Sequence, residues 1–540
     1  ILVTAMVGLA GCNMGGDDDN EDSSFQFQSD LGSLPRAIFL TDPELDDFNS
    51  MEHMLLYSNN INLAGLIYQS SMHWRGTQYK GGTLLPGRWP AEGDELHIDQ
   101  AINLYEEVYP NLVRHDSNYP SPSYLRSITK KGNMDIPGDY SEFTEGAQLI
   151  YDILMDDKPE KVFVGCWGGM STLAAAVSHL PQDEATKAKI AKKLVVTAYG
   201  FQDKQTVGDV VSNDNNATVF KSILNYSPDI EYREESSASW GYMARGGSFN
   251  WGDVSFRMAG VRADQLFYLQ PAWMQKNVSS VGPMGQAYRL WGNGKQMAPG
   301  DVEDYFWLCQ ETNESQLADE KIWLQSLGYT VWLGPYAAGS WLSEGDSGNW
   351  ALLVDNGLRN WEGPNYGGWG GRHEKNTAGT TYGANNMWRL VAAGDPLTAD
   401  GTRSDSVYSR WFNSIMDGFA ARLQWTIKGP GACNHEPAIR ITNNITNDGT
   451  LNFTAAKGAA VTLTAEIYDR DGDGVWLNWW EYQEADSYAN VAGVAGASKT
   501  NTFTVPQDAN SGDTIHIIAE AKDSGSPNLT SWQRVVITVE

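Results

Sequence analysis

The chain has 540 residues, room for two or three domains, and 41% of them are hydrophobic, which permits a full core. No apolar run is long enough to span a bilayer. The formal net charge of −29 argues against a nucleic-acid binder, which needs a basic footprint, and suits a soluble extracytoplasmic protein.

Residues 2–12 are a short apolar region ending in Leu9-Ala10-Gly11-Cys12, and residues 14–24 are an acidic, glycine-containing tether. The first piece resembles a bacterial lipobox. That resemblance implies acylation of Cys12, a lipid anchor, and a place in the cell envelope facing the periplasm or the surroundings. Residues 1–24 therefore read as signal remnant and linker.

From 25 to about 430 the chain alternates strand-like and helix-like segments, the pattern of an α/β domain with an open, mostly parallel sheet and helices on both faces. Residues 37–40 read as a buried strand that stops before Pro43, and Leu45, Phe48, Met51 and Leu55 recur at helical spacing behind it. Between them stand Asp42, Asp46 and Asp47. Three carboxylates this close repel unless a cation sits among them, and calcium tolerates an irregular oxygen cage. Asp46 and Asp47 could instead serve only to cap the helix, which leaves Asp42 without a role.

Further along, residues 63–68 read as a second strand, 74–97 as a loop, 98–109 as a helix and the segment up to Phe143 as polar connection. Residues 161–176 read as strand, glycine turn and helix. Residues 194–199 form another strand, which delivers Gln202 and Asp203 to the sheet edge where open α/β sheets bind ligands; Asp209, Asn213 and Asp214 follow as additional candidates. The loop 361–373 is rich in Gly and aromatic residues, and Trp369 there suits either glycan contact or packing. A closing helix is expected over 410–425, and Lys428-Gly429-Pro430-Gly431 marks the boundary. From 431 the texture changes to short alternating runs at 459–467, 475–482, 500–505, 514–521 and 534–539, an immunoglobulin-like sandwich. Asp469 to Gly474 reads as a tight turn. Beyond Cys12 the cysteines are Cys166, Cys309 and Cys433, an odd number that provides no disulfide framework.

Thr41-Asp42-Pro43-Glu44-Leu45-Asp46-Asp47 resembles the nucleoside hydrolase signature D-T-D-P-G-x-D-D. A nearer resemblance is to the bacterial nucleoside-hydrolase-like cellulose-binding proteins, and it is shared by residues 281–288, 343–348, 434–437 and 479–482. The resemblance implies calcium held by Asp42, Asp47, the carbonyl of Trp167 and Asp346, with Asp42 also the base. It implies that Asp46 holds sugar hydroxyls; by their place at the strand end, Gln202 and Asp203 are candidates to join it. Three positions depart from the family: Leu40 replaces its first Asp, Glu44 its Gly, and Gly345 the His that often protonates the leaving base. Glu344 and His73 are alternative acids. Two functions follow. One is a calcium-dependent glycosidase, cleaving an N- or O-glycosyl bond of a carbohydrate outside the cytoplasm. The other is a non-catalytic cellulose- or glycan-binding surface lipoprotein that keeps the fold.

Overall fold

The computed structural model describes residues 29–71, 89, 93–203, 218–235, 264–290, 339–341, 343–377, 382–391, 407–442 and 451–540. They fall into two compact units, Ser29–Cys433 and Asn434–Glu540.

The first unit is built on an eight-stranded sheet. In chain order its elements are β1 (Arg36–Thr41), α1 (Leu45–Leu56), β2 (Asn62–Tyr68), α2 (His97–His115), α3 (Pro122–Ile128), β3 (Thr129–Lys131), α4 (Glu145–Met155), β4 (Val162–Cys166), α5 (Ser171–Ser178), α6 (Glu184–Lys193), β5 (Leu194–Ala198), α7 (Thr218–Tyr226), β6 (Glu231–Glu234), α8 (Gly282–Ala287), α9 (Ser347–Ala351), β7 (His373–Lys375), β8 (Met387–Leu390) and α10 (Phe412–Trp425). The strand order is β3-β2-β1-β4-β5-β6-β8-β7, parallel throughout except for β7, which runs against β8 at the edge. β1 lies inside, paired with β2 and β4, and each of its six residues is buried. A strand covered on both faces needs a continuous apolar run, which is how residues 37–40 read.

One face of the sheet carries Ile38, Leu40, Val164, Cys166 and Val196 into a core shared with α4, α5, α6 and α7. On the opposite face Gly165 leaves room for the Phe39 ring, whose Cδ1 would stand 2.7 Å from an added Cβ, while Asn349 Cβ of α9 lies at an ordinary contact distance of 3.5 Å. The segment expected to be polar connection contains α3 and the edge strand β3. No described helix is long and apolar enough to cross a membrane.

The second unit is the expected sandwich. A five-stranded sheet, β10-β16-β15-β12-β13, faces a three-stranded one, β14-β11-β9. The strands are β9 (Ala438–Ile441), β10 (Asn452–Ala455), β11 (Ala460–Tyr468), β12 (Val475–Glu481), β13 (Ala495–Gly496), β14 (Thr500–Thr504), β15 (Thr514–Asp523) and β16 (Thr530–Val539). Along β12, Leu477 and Trp479 are buried while Trp476 and Asn478 are exposed, the period-two alternation that packs one face inward. Trp479 joins Leu463, Ile515, Ile517, Val535 and Ile537 in the core. At the turn between β11 and β12, Asp469 Oδ1 accepts the N–H groups of Asp471 and Asp473, both at 3.0 Å.

Candidate functional site

The carboxyl end of β1 leads into α1 through Asp42-Pro43-Glu44, and the turn is held by its own acids. Asp47 Oδ1 accepts the Thr41 hydroxyl at 2.7 Å and the Asp42 N–H at 3.1 Å, while Asp42 Oδ1 accepts the Glu44 N–H at 3.2 Å. Asp46 and Asp47 lie in the first turn of α1, where the helix dipole favours negative charge. His97, the first residue of α2, sets Nε2 3.1 Å from the Thr41 hydroxyl. Burial, aided by the Arg289 charge, lowers the His97 pKa to about 3, so the ring is neutral.

The fourth aspartate arrives from far along the chain. Asp346 is the N-cap residue of α9, yet its side chain makes no capping hydrogen bond. Instead, ligand atoms of Asp46, Asp47 and Asp346 lie within 4.8 Å of one another, as do those of Asp42, Glu44 and Asp47. Asp42, Asp46, Asp47 and Asp346 are all buried. Burial first, then the neighbouring charges of Asp346, Asp42, Asp46 and Glu44, pushes the Asp47 carboxyl well above the usual range. Asp346 is raised by burial and by Asp46 and Asp42, against a lowering hydrogen bond with Asp47. Acids packed this way hold a proton between them or take a cation.

The glycine turn after β4 closes the other side. The N–H groups of Trp167 and Gly168 donate to the Leu40 carbonyl at 2.8 and 3.3 Å, which ties this turn to β1. A Cβ at Gly168 would stand 3.0 Å from Asp42 Oδ2 and 3.4 Å from the Ser70 carbonyl, so only glycine leaves this approach open. The Trp167 carbonyl accepts the Gln202 amide at 2.6 Å. A carbonyl oxygen has a second lone pair, so this bond leaves it able to serve a cation. Gln202 Oε1 has no hydrogen-bond partner among the described residues. Asp203 is committed to the turn: Oδ2 accepts the Met170 N–H at 2.7 Å and Oδ1 the Ser171 hydroxyl at 2.6 Å.

The donor set around Asp42, Asp46, Asp47, Asp346 and the Trp167 carbonyl is all oxygen, buried and strongly negative. That chemistry fits a hard cation of calcium's type.

Other expected residues lie elsewhere. Trp369 is buried, edge-on to Tyr57 at 5.3 Å, and stands with the core residues. Glu344 is locked in a buried network: His53 Nδ1 lies 2.9 Å from its Oε2, the Ser347 hydroxyl donates to the same oxygen at 2.7 Å, and Tyr288 donates to Oε1. Cys166 is a buried free thiol whose pKa burial raises. Cys12, His73, Asp209, Asn213, Asp214 and Cys309 lie outside the described residues.

Several residues of the site were not singled out from sequence. Asn49 accepts the Arg289 N–H at 2.9 Å and donates to the carbonyls of Arg289 and Ser343, at 2.9 and 3.0 Å, drawing both segments onto α1. Asp46, Asn49, Ser50 and His53 fall at spacings of three and four along α1, a polar stripe beside the apolar one, and all four are buried. Glu235, one residue past β6, accepts His373 Nε2 at 2.8 Å and the Tyr408 hydroxyl at 2.9 Å, again fully buried.

Residues 36–373, which contain all of these acids, match the family model described as cellulose-binding Sde182, nucleoside hydrolase-like domain. The chain belongs to this family. Residues 460–539 match the model of the cellulose-binding protein Sde0182 C-terminal domain, so the Sde182 pairing of an α/β domain with a β-rich one holds here. Among solved structures, a nucleoside hydrolase-related hypothetical protein from Saccharophagus degradans, associated with carbohydrate metabolism, is 22% identical. It aligns over 94% of this chain and 100% of its own with a TM-score of 0.63, which establishes the shared fold. An inosine-guanosine nucleoside hydrolase overlaps 39% of this chain and 66% of its own at 12% identity and a TM-score of 0.21, too loosely to carry an argument. No curated protein matches the chain.

Proposed function

We propose that this Sde182-family chain is a calcium-dependent glycosidase of the cell envelope, tethered through Cys12 and acting on a carbohydrate outside the cytoplasm. The convergence of Asp346 on Asp46 and Asp47, all buried, is the observation that carries it. A site built only to grip a sugar has no use for four buried aspartates whose charges repel one another and raise the Asp47 and Asp346 carboxyls. Asp42, Asp47, Asp346 and the Trp167 carbonyl would hold calcium, which would supply the positive charge that acidifies a water.

The chain's own part of the reaction is specific. Asp42, fixed through Oδ1 by the Glu44 N–H, takes the proton of a water attacking the anomeric carbon. The new C–O bond forms as the bond to the leaving group breaks, with that electron pair leaving on the aglycone. Asp46 holds sugar hydroxyls. Gln202 fixes the Trp167 carbonyl through its amide, which leaves Oε1 for the ligand. Asp203, with both oxygens used in the turn, takes a supporting part.

Glu344 is too firmly bound by His53, Ser347 and Tyr288 to give a proton to a leaving group, and Gly345 offers none. General acid help is typically worth 10²–10⁴-fold, so good leaving groups should be favoured strongly over poor ones. The test is turnover of activated aryl glycosides with calcium present, lost in Asp42→Asn, beside poor turnover of inosine and uridine. Glycan binding without hydrolysis across a broad aryl-glycoside panel would instead establish the second reading, a non-catalytic binder. The missing acid at Gly345 and the cellulose-binding description of the family favour that second reading.

A further inference from the structure

Two buried histidine–carboxylate pairs grip the short helix that carries Asp346, and neither belongs to the acid cluster itself. On one side, Glu344 joins His53 of α1 to Ser347, the first residue of α9, whose hydroxyl also lies 3.1 Å from that of Ser50. The Trp350 indole N–H donates to the same Ser347 oxygen at 3.0 Å, and the His53 ring stacks on Phe419 with centroids 4.0 Å apart. On the other side, Glu235 is held by His373 and Tyr408. A Cβ on Gly348 would stand 3.0 Å from the Tyr408 oxygen and 3.1 Å from Glu235 Oε2, so α9 rests directly on this second pair.

Ser347 and Gly348 are the two residues that follow Asp346. The Asp346 side chain makes no capping bond, its carbonyl is held by the Asn349 N–H of the same helix at 3.0 Å, and a five-residue helix has little intrinsic stability. Its position is therefore set by what touches its neighbours.

We propose that Glu344 with His53, and Glu235 with His373, are positioning residues for the metal ligand Asp346, clamping the first turn of α9 from two sides. The inference rests on the calcium reading of the acid cluster. Groups that orient a metal ligand without touching the ion typically change affinity 10- to 100-fold when removed. Affinity should suffer even when the fold survives.

The test is calcium titration of the full chain by calorimetry, with thermal unfolding of the calcium-free protein measured beside it. Glu344→Gln and Glu235→Gln should each weaken calcium binding about 10- to 100-fold. Gly348→Ala is the milder variant, since its methyl only presses α9 away from Glu235 and Tyr408; it should weaken binding about tenfold while remaining folded. Asp156→Asn is the control. It breaks the Arg36–Asp156–Lys193 cluster at the amino end of β1, away from the acids, and should lower the melting temperature without changing calcium affinity.

Wild-type affinity in Glu344→Gln, Glu235→Gln and Gly348→Ala would overturn the inference and leave the calcium reading standing. Equal weakening in Asp156→Asn would also overturn it, because general loosening would then explain the loss. No calcium binding by the wild-type chain would remove the calcium reading and this inference together.

Discussion

Asp346→Asn should stabilise the protein without calcium and rob it of stability with calcium. The substitution keeps the shape of the side chain and removes its charge, and no capping bond is lost because Asp346 makes none. Ligand atoms of Asp46, Asp47 and Asp346 lie within 4.8 Å. Two unit charges at that distance repel by about 3.5 kcal/mol at an effective dielectric constant of about 20. The raised Asp47 and Asp346 carboxyls let protonation relieve part of this, so a gain of about 1–2 kcal/mol is expected near neutral pH.

The pH dependence has a definite sign. Both carboxyls are raised in the folded state, whereas the unfolded chain loses these protons near pH 3.9. Above that pH the native state holds more protons than the unfolded one, so calcium-free stability falls as pH rises toward the folded values. Urea unfolding of wild type and variant with a chelator, at pH 4 and pH 8, should therefore show a gap that is open at pH 8 and closed at pH 4. Calcium at 100 times its dissociation constant should add about 2.7 kcal/mol to wild type and much less to the variant. A variant that is less stable than wild type without calcium, or that gains as much from calcium, would refute the reasoning.

Three other outcomes are expected. Asp203→Ala should cost about 3 kcal/mol in denaturant unfolding, because it strips two hydrogen bonds to a carboxylate from the glycine turn. In the sandwich, burial and then the nearby Glu481 carry the Asp486 pKa up to about 9, against a lowering hydrogen bond from the His516 N–H. Its raised value removes stability as pH climbs from about 4 to 9, so Asp486→Asn should unfold at higher urea than wild type at pH 8, by roughly 1–3 kcal/mol, and match it at pH 4. Finally, the expressed full-length precursor should partition with membranes and Cys12→Ala should release it; wild type found wholly in the soluble fraction would oppose the lipid tether.

The parts of this architecture that local chemistry dictates were legible in the sequence. β1 and β4 are short apolar runs closed by Pro43 and by Gly168-Gly169, and Asp42, Asp46 and Asp47 follow within a few residues, so strand, turn and acids could be read together. β3 was missed because Thr129-Lys130-Lys131 has no apolar pattern; its strand character comes from pairing with Leu66–Tyr68. Trp369, which suited either glycan contact or packing, is placed by the structure among buried residues. Its glycine-rich surroundings suit a sugar, while its neighbours Tyr57 and Gly418 come from distant parts of the chain that no local pattern connects to it. Asp346 was reached through family resemblance alone, since an Asp in a Gly-Ser segment reads as a turn. The stripe Asp46-Asn49-Ser50-His53 was present at helical spacing and could have been read as a second functional face. Glu235 and His373 could not, because they meet only once the sheet has formed.

The span between the partners in this cluster has a consequence for how the molecule comes into being. Ser50 and Ser347 touch across 297 positions of chain, and Asn49 and Ser343 across 294. Contacts of such sequence separation form after the local ones, because the loop between them must first be closed at an entropic cost. An assembly intermediate with β1, β2 and α1 in place has Asp42, Asp46 and Asp47 but lacks Asp346. On the proposed calcium reading, the ion would do little to guide the early chain and would gain its hold when α9 docks. Ion occupancy would then be a mark of completed assembly, one that a chain with α9 undocked would not display.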